Sequence, residues 1–209
     1  MNDFATSLNL KRKFDIVASS LALILLLPLF PFIAIAIKLD SSGPVFFRQL
    51  RVGSYYPDRA EFFEMIKFRS MRADAEKITG AVWAQKTDPR ITATGRFLRK
   101  SRLDELPQLI NVLKGDMSII GPRPERPDFY RSLENEIPFY SDRTYGVRPG
   151  ITGLAQVYQG YDSCIEDVRS KVAYDHSYAL ALESVSGWLL TDAKIALMTV
   201  WVMIRGRGQ

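Results

Sequence analysis

Cysteine and histidine are almost absent: the chain has one of each, Cys164 and His176. A lone cysteine excludes an internal disulfide framework, and one cysteine with one histidine cannot build a zinc cluster. Both residues read as structural. Any metal used must therefore be a hard cation held by carboxylate and phosphate oxygens, and acid–base or nucleophilic work falls to carboxylates. Internal repeats and low-complexity stretches are also missing. The hydrophobic (47%) and charged (24%) fractions are those of an ordinary globular chain, which excludes global disorder, collagen and a many-span membrane protein. A length of 209 residues fits one main domain with an appendage.

What is present is unevenly distributed. Residues 1–126 carry 20 basic and 13 acidic side chains, whereas residues 127–209 carry 8 and 10. A basic front half points to an anionic partner: phosphate, nucleic acid or a lipid headgroup surface. The apolar residues cluster too. Val17 to Ile37 is a run of 21 residues without a charge; at ~1.5 Å per residue it is about long enough for a ~30 Å hydrocarbon core. It exceeds a signal-peptide core, and no small-residue cleavage site follows it. Pro28 and Pro31 interrupt the run. Pro28 lacks the N–H that would bond residue 24, so a bend is expected there. Lys11, Arg12 and Lys13 precede the run, while Lys38, Arg48 and Arg51 follow it. Positive charge on both sides gives no orientation bias for a single span. A kinked helix that enters and returns to the same face is favoured over a span, and both stay open.

The remainder reads as a compact α+β unit, giving two parts: 1–40, the basic flank and re-entrant membrane segment, and 41–209, the main domain. Val45–Gly53 and Glu61–Phe68 form a candidate β-hairpin with loop 54–59. Leu103, Leu106, Ile110 and Leu113 recur at helical spacing, with Ser101 as expected N-cap and Gly115 as stop. Segments 118–124 and 147–153 are stiff Pro/Gly loops. Residues 166–183 are predicted helical, and 188–204 form an apolar helix suited to the interface.

The chemistry concentrates between Arg90 and Glu105. Arg90, Arg96, Arg99, Lys100 and Arg102 come without an intervening acid and are followed by Asp104-Glu105. Acids in a first helical turn can simply complement the helix dipole. Alternatively, arginines around an adjacent carboxylate pair keep it ionised, hence nucleophilic, and attract an anionic substrate. One carboxylate could attack phosphorus while the other holds Mg²⁺ against a diphosphate. Lys67 and Arg69, two apart on a strand, share a face. Arg123 in Gly-Pro-Arg-Pro and Arg148 in Arg-Pro-Gly sit on restricted backbones suited to bidentate phosphate contact. From these residues alone three rivals stay open: a glycosyltransferase that releases UDP, a membrane-tethered nucleic-acid binder, and a basic scaffold without chemistry. The last two leave the Asp104-Glu105 pair unexplained.

The segments KRKFDIVASS, IKLDSSGPVFFRQLRVG, KFRSM, DPRITATGRFLRKSRLDELPQLINVLKGDMSIIGPRPE, VRPGITGLAQV and YALALESVSGWLLTDAKIALMTV resemble, in order and spacing, the bacterial sugar transferase family. These are monotopic phosphoglycosyl transferases, here in the short catalytic-core form. The resemblance implies transfer of a sugar 1-phosphate from a UDP-sugar to undecaprenyl phosphate, with release of UMP, as the first membrane step of exopolysaccharide, O-antigen or glycoconjugate synthesis. It implies Mg²⁺ as cofactor, Asp104 as nucleophile forming a covalent phosphosugar intermediate, and Glu105, with Asp104, at the metal. It also implies a re-entrant helix broken at Pro28, with Leu27 standing where many members have serine. Lys67, Arg69, Arg99, Arg123 and Arg148 match family positions. The expected place is the bacterial inner membrane with the catalytic domain on the cytoplasmic face, without nucleic acid; a homodimer stays open.

Overall fold

The computed structural model describes residues 2–75, 88–159 and 164–205. Helix α1 (Asn2–Leu26) and helix α2 (Leu29–Asp40) meet at Leu27-Pro28 with a bend of 64°. The expected kink is thus present, at the residue whose missing N–H cannot continue the helical ladder.

Helix α1 is polar inside and apolar outside. Ser7, Lys11, Asp15 and Ser19, four residues apart, form its buried face, while Phe14, Val17, Leu21, Ile24 and Leu25 are exposed. A helix on a water-soluble protein shows the opposite pattern. The two charged members reach other elements, whereas among the described residues the Ser7 hydroxyl bonds only the Asp3 carbonyl of its own helix and the Ser19 hydroxyl has no partner. Lys11 Nζ pairs with Asp192 Oδ2 at 2.7 Å. Asp15 accepts from Ser118 Oγ at 2.7 Å and from the Ile119 N–H at 3.1 Å. Two of the three cations that precede the apolar run therefore face the protein: buried Lys11, and half-buried Arg12, whose guanidinium donates to the Val112 and Leu113 carbonyls. Lys13 alone of the three is exposed.

Strands β1 (Phe46–Tyr56) and β2 (Arg59–Phe68) pair antiparallel around Pro57-Asp58, with a register break between Val52 and Tyr55. The strands run through most of the segment expected as a loop, because the break absorbs the irregularity and lets Tyr55 and Tyr56 pair with Ala60 and Arg59. Phe68 ends β2 and is buried with Ile33 and Ile37 of α2; each such side chain contributes about 1.5–3 kcal/mol. Helix α3 (Ala93–Lys100), a 3-10 turn (Leu103–Glu105) and helix α4 (Gln108–Lys114) follow. Gly115 caps α4 at φ 97°, a left-handed conformation that glycine adopts freely.

The two Pro/Gly segments are not plain loops. Strand β3 (Ser118–Ile120) pairs parallel with β4 (Gly150–Thr152). Helix α5 (Pro127–Glu136) separates these strands in sequence, and α6 (Leu154–Tyr158) follows β4. Helices α7 (Ile165–Ala181) and α8 (Val185–Arg205) close the chain, as expected. They bury Tyr178, Leu182, Trp188 and Ile195 with Ile120 and Val147. Among the described residues, α8 is the one unbroken helix long and apolar enough to cross a membrane; α1 and α2 combine the needed length and apolar character only as a bent pair. Outward-facing Leu190, Leu197 and Ile204 are 74–80% exposed.

Candidate active site

Asp104 and Glu105 sit on a reversal. Ser101, expected to open a helix, instead closes α3: its hydroxyl donates back to the Phe97 carbonyl at 2.8 Å. Arg102 then takes a left-handed conformation at φ 58°, a strain of roughly 1–2 kcal/mol for a residue with Cβ. The chain turns there and delivers both carboxylates, buried, in the short 3-10 turn before α4. Pro107 precedes α4, where its missing N–H costs nothing.

Three elements aim cations at Glu105 Oε1. Lys67 Nζ from β2 lies at 3.1 Å, Arg102 Nη1 at 3.7 Å and Arg123 Nη1 at 3.9 Å. The Lys67 distance is set by Asn111 of α4, which is fully buried. Its Nδ2 donates to the Glu64 carbonyl at 2.7 Å and its Oδ1 accepts from the Ile66 N–H at 3.0 Å, fixing β2 beside α4. Arg123 is placed through its backbone. Buried Arg143 donates to the Arg123 carbonyl at 3.0 Å while pairing with Asp175 at 2.9 Å. The parallel β3–β4 contact brings this loop in, and a Cβ on Gly150 would lie 2.1 Å from the Gly121 nitrogen.

The two carboxylates titrate apart. Burial raises Asp104 to about 6, opposed by the charge of Lys67 and reinforced by that of Glu105. Burial would raise Glu105 as well, but Lys67, Arg123 and Arg102 outweigh it and hold the group near 2. Glu105 is thus a permanent anion, and Asp104 is an ionised carboxylate at neutral pH held at a cost. One oxygen of Asp104, Oδ1, is buried with no hydrogen-bond partner. Lys67, Arg99, Arg102 and Arg123 together leave the cluster with a net charge of +2 around the two carboxylates.

The remaining expected site residues divide. Arg99 lines the same cavity as the pair. Arg69 lies on its wall, but both terminal nitrogens donate to the Ser41 and Ser42 carbonyls at the end of α2, so its fork is already bonded. Arg148 is exposed, donates from Nε to the Gly115 carbonyl at 2.9 Å, and lines neither of the two large cavities. The residue that sequence reasoning missed is Arg102, seen only as one of a basic run, which the structure places 3.7 Å from Glu105.

Two cavities meet at the site, sharing Glu105 and Arg123. One, of about 360 Å³, combines cations, among them Lys67, Arg72, Arg90, Arg99 and Arg126, with apolar Phe46, Phe47, Met65 and Phe129, and contains Asp104. The other, of about 620 Å³, lies between α4, the β3–β4 pair and α8, and is mostly apolar.

For a divalent cation the residues fit in one mode. Two adjacent carboxylates, one with an orphaned oxygen, are available, and among the described residues no group of three His, Cys, Asp or Glu assembles. Mg²⁺ commonly takes one or two carboxylates and completes its octahedron with substrate phosphate and water.

Residues 6–206 match the sequence model of a family described as bacterial sugar transferase. The chain is 46% identical over 199 residues to a UDP-N-acetylgalactosamine-undecaprenyl-phosphate N-acetylgalactosaminephosphotransferase of Aeromonas hydrophila, covering 95% of this chain and 44% of that protein. It is 43% identical over 195 residues to a UDP-glucose:undecaprenyl-phosphate glucose-1-phosphate transferase of Caulobacter vibrioides, covering 91% and 68%. With the exopolysaccharide production protein PSS of Rhizobium leguminosarum it shares 43% identity over 205 residues, 95% of this chain and 98% of that one. The chain therefore spans less than half the length of the first of these relatives and nearly all of the last.

Proposed function

The chain belongs to the bacterial sugar transferase family, and we propose that it transfers a sugar 1-phosphate from a UDP-sugar to undecaprenyl phosphate, releasing UMP, at the cytoplasmic face of the bacterial inner membrane. The observation that carries this reading is the buried Asp104-Glu105 pair, with the orphaned Asp104 oxygen, inside a cluster of net charge +2. A diphosphate is the matching ligand. Names of relatives support the substrates.

In the first half-reaction an Asp104 carboxylate oxygen attacks the β-phosphorus of the UDP-sugar. The bond from that phosphorus to the oxygen bridging the two phosphates breaks, and UMP departs with the electron pair. The sugar, still on its phosphate, remains as an aspartyl phosphosugar. In the second, an oxygen of undecaprenyl phosphate attacks the same phosphorus and the Asp104 carboxylate leaves, giving the undecaprenyl diphosphate sugar. Splitting one transfer into two displacements is the usual gain of nucleophilic catalysis. Glu105, pinned by three cations, stays charged throughout. Lys67, Arg99, Arg102 and Arg123 neutralise charge on the phosphoryl oxygens, which is most of what phosphoryl transfer asks of a protein. When bound, Mg²⁺ held by Asp104 and Glu105 supplies further neutralisation of the diphosphate.

The bend at Pro28 and the inside-out α1 support a re-entrant segment in one leaflet: an apolar exterior that long belongs in hydrocarbon, and its two arms are not collinear. The relatives named here act on different sugars, so the donor is to be identified by assay. Nucleotide release is measured with Mg²⁺, undecaprenyl phosphate and a panel of UDP-sugars. UMP accumulating with one or two of them, and only with the lipid present over many turnovers, is expected; UDP in place of UMP refutes phosphosugar transfer.

A further inference from the structure

We propose that the apolar cavity seats the first isoprene units of the acceptor lipid, and that its phosphate occupies the position at Arg123 vacated by UMP. This rests on the phosphosugar-transfer reading above.

The chemistry of the walls separates the two cavities. The smaller sets Lys67, Arg72, Arg90, Arg99 and Arg126 beside apolar Phe46, Phe47, Met65 and Phe129, cations for a diphosphate next to rings for a nucleoside. The larger presents Leu106, Leu109, Ile119, Ile151, Met198 and Trp201, and such a surface gains by burying hydrocarbon. At about 620 Å³ it is within the usual range of a ligand site, far too small for a whole polyprenyl chain, so the rest must continue outside. The geometry provides an exit. Its α8 wall has an opposite face of exposed Leu190, Leu197 and Ile204. A chain leaving along α8 passes from the cavity to an apolar exterior without crossing water.

The order of displacements fixes where the phosphate goes. Both attacks occur in line at one phosphorus, with Asp104 entering in the first and leaving in the second. The incoming lipid oxygen must therefore approach from the side on which UMP left. One phosphate-binding position serves two ligands in turn, and it must be reachable from both cavities. Asp104 lines only the cationic cavity, whereas Arg123 and Glu105 line both. Of those two, Arg123 is the one that can hold a phosphate. The Arg143 bond to its backbone carbonyl keeps the residue at the junction. UMP and the lipid phosphate then exclude each other.

The test separates the half-reactions in nanodiscs. Val202→Trp and, independently, Met198→Trp, both lining residues, fill the apolar cavity; Leu180→Trp, exposed on α7 and lining neither cavity, is the control. Wild-type enzyme given UDP-sugar without lipid should release one UMP per active site, and absence of that burst refutes the underlying reading, not this inference. Both cavity variants are expected to keep the burst rate within twofold while KM for undecaprenyl phosphate rises at least tenfold and KM for the UDP-sugar is unchanged. The control keeps both constants. A farnesyl phosphate carrying a terminal diazirine should crosslink to peptides containing residues 198–203 in the wild type, a readout that does not depend on any variant folding. Unchanged lipid KM in both folded variants, or crosslinks confined to β1, β2 and α3, would overturn the proposal.

Discussion

Asp104→Asn is expected to abolish transfer while making the metal-free protein more stable. The carboxyl is raised from an ordinary 3.8 to about 6 because it is buried. Between those values the folded protein keeps a proton that the unfolded chain has lost, so stability falls as pH rises from about 4 to about 6 and is level above. The difference, at ~1.36 kcal/mol per pH unit, is a cost of about 3 kcal/mol at pH 7.5. The attraction of Lys67, Arg99 and Arg102 is already included in that balance. Asparagine has nearly the same shape and no charge to desolvate, and the orphaned Oδ1 has no bond to lose. At roughly 2–4 °C per kcal/mol for a chain of this size, the apparent Tm should rise by about 6–12 °C. The assay is thermal unfolding in nanodiscs with EDTA, at pH 7.5 and pH 5. At pH 5 the gain should shrink to about half, since the wild-type carboxyl is then largely protonated when folded. A variant no more stable than wild type at pH 7.5 would refute the claim that charge burial, rather than a missing neighbour, sets this carboxyl's behaviour.

Three further outcomes follow from contacts elsewhere. Lys11→Met or Asp192→Leu alone should cost about 3–5 kcal/mol, because each strands a buried charge; in thermal unfolding the double variant should cost clearly less than the sum, and strict additivity would show the pair to be uncoupled. Asn111→Ala leaves the Ile66 N–H and the Glu64 carbonyl without this partner, a loss of about 2–4 kcal/mol, and it should lower kcat by displacing Lys67; stability loss with kcat intact would deny that positioning role. Cysteines at Ala5 and Ser42, both exposed, should react with an impermeant maleimide from the same side of the membrane in oriented vesicles, while reaction from opposite sides would establish a span.

What the sequence discloses depends on how local the physics is. The bend at Pro28, the hairpin and the stop at Gly115 were readable because each follows from one residue's backbone or from an alternation a few residues long. The Asp104-Glu105 pair was readable as a charge pattern, but its geometry was not. Ser101 is a good N-cap by type, and only the return bond to Phe97 and the left-handed Arg102 make it a terminator instead. The same gap separates the arginines. Arg123 and Arg69 look alike in sequence, each next to a strand in a basic stretch. One reaches Glu105, while the other is consumed by carbonyls that α2 leaves unsatisfied, a partner 27 and 28 residues away. The β3–β4 pair was missed because each strand is three residues long and its partner lies across a helix.

The four-residue spacing of Ser7, Lys11, Asp15 and Ser19 was in plain view, and it inverts the usual meaning of a charged flank. Lysine and arginine before an apolar run ordinarily mark the water side, yet here they point inward to the rest of the protein. Lys11 holds Asp192 on α8, the helix that walls the apolar cavity. Arg12 caps the carbonyl end of α4, whose other end begins just after the Asp104-Glu105 turn. Asp15 holds Ser118 and Ile119 of β3, which leads to Arg123. Three elements that line the junction of the two cavities or lead to it, α8, α4 and β3, are thus tied to one face of α1, and the hairpin is tied to α4 by Asn111. Under the re-entrant reading proposed above, the depth at which the apolar outer face of α1 settles in lipid would fix the depth of the phosphate site. A helix that anchored the protein without templating the site could exchange its polar stripe for leucine at no catalytic cost; this one could not.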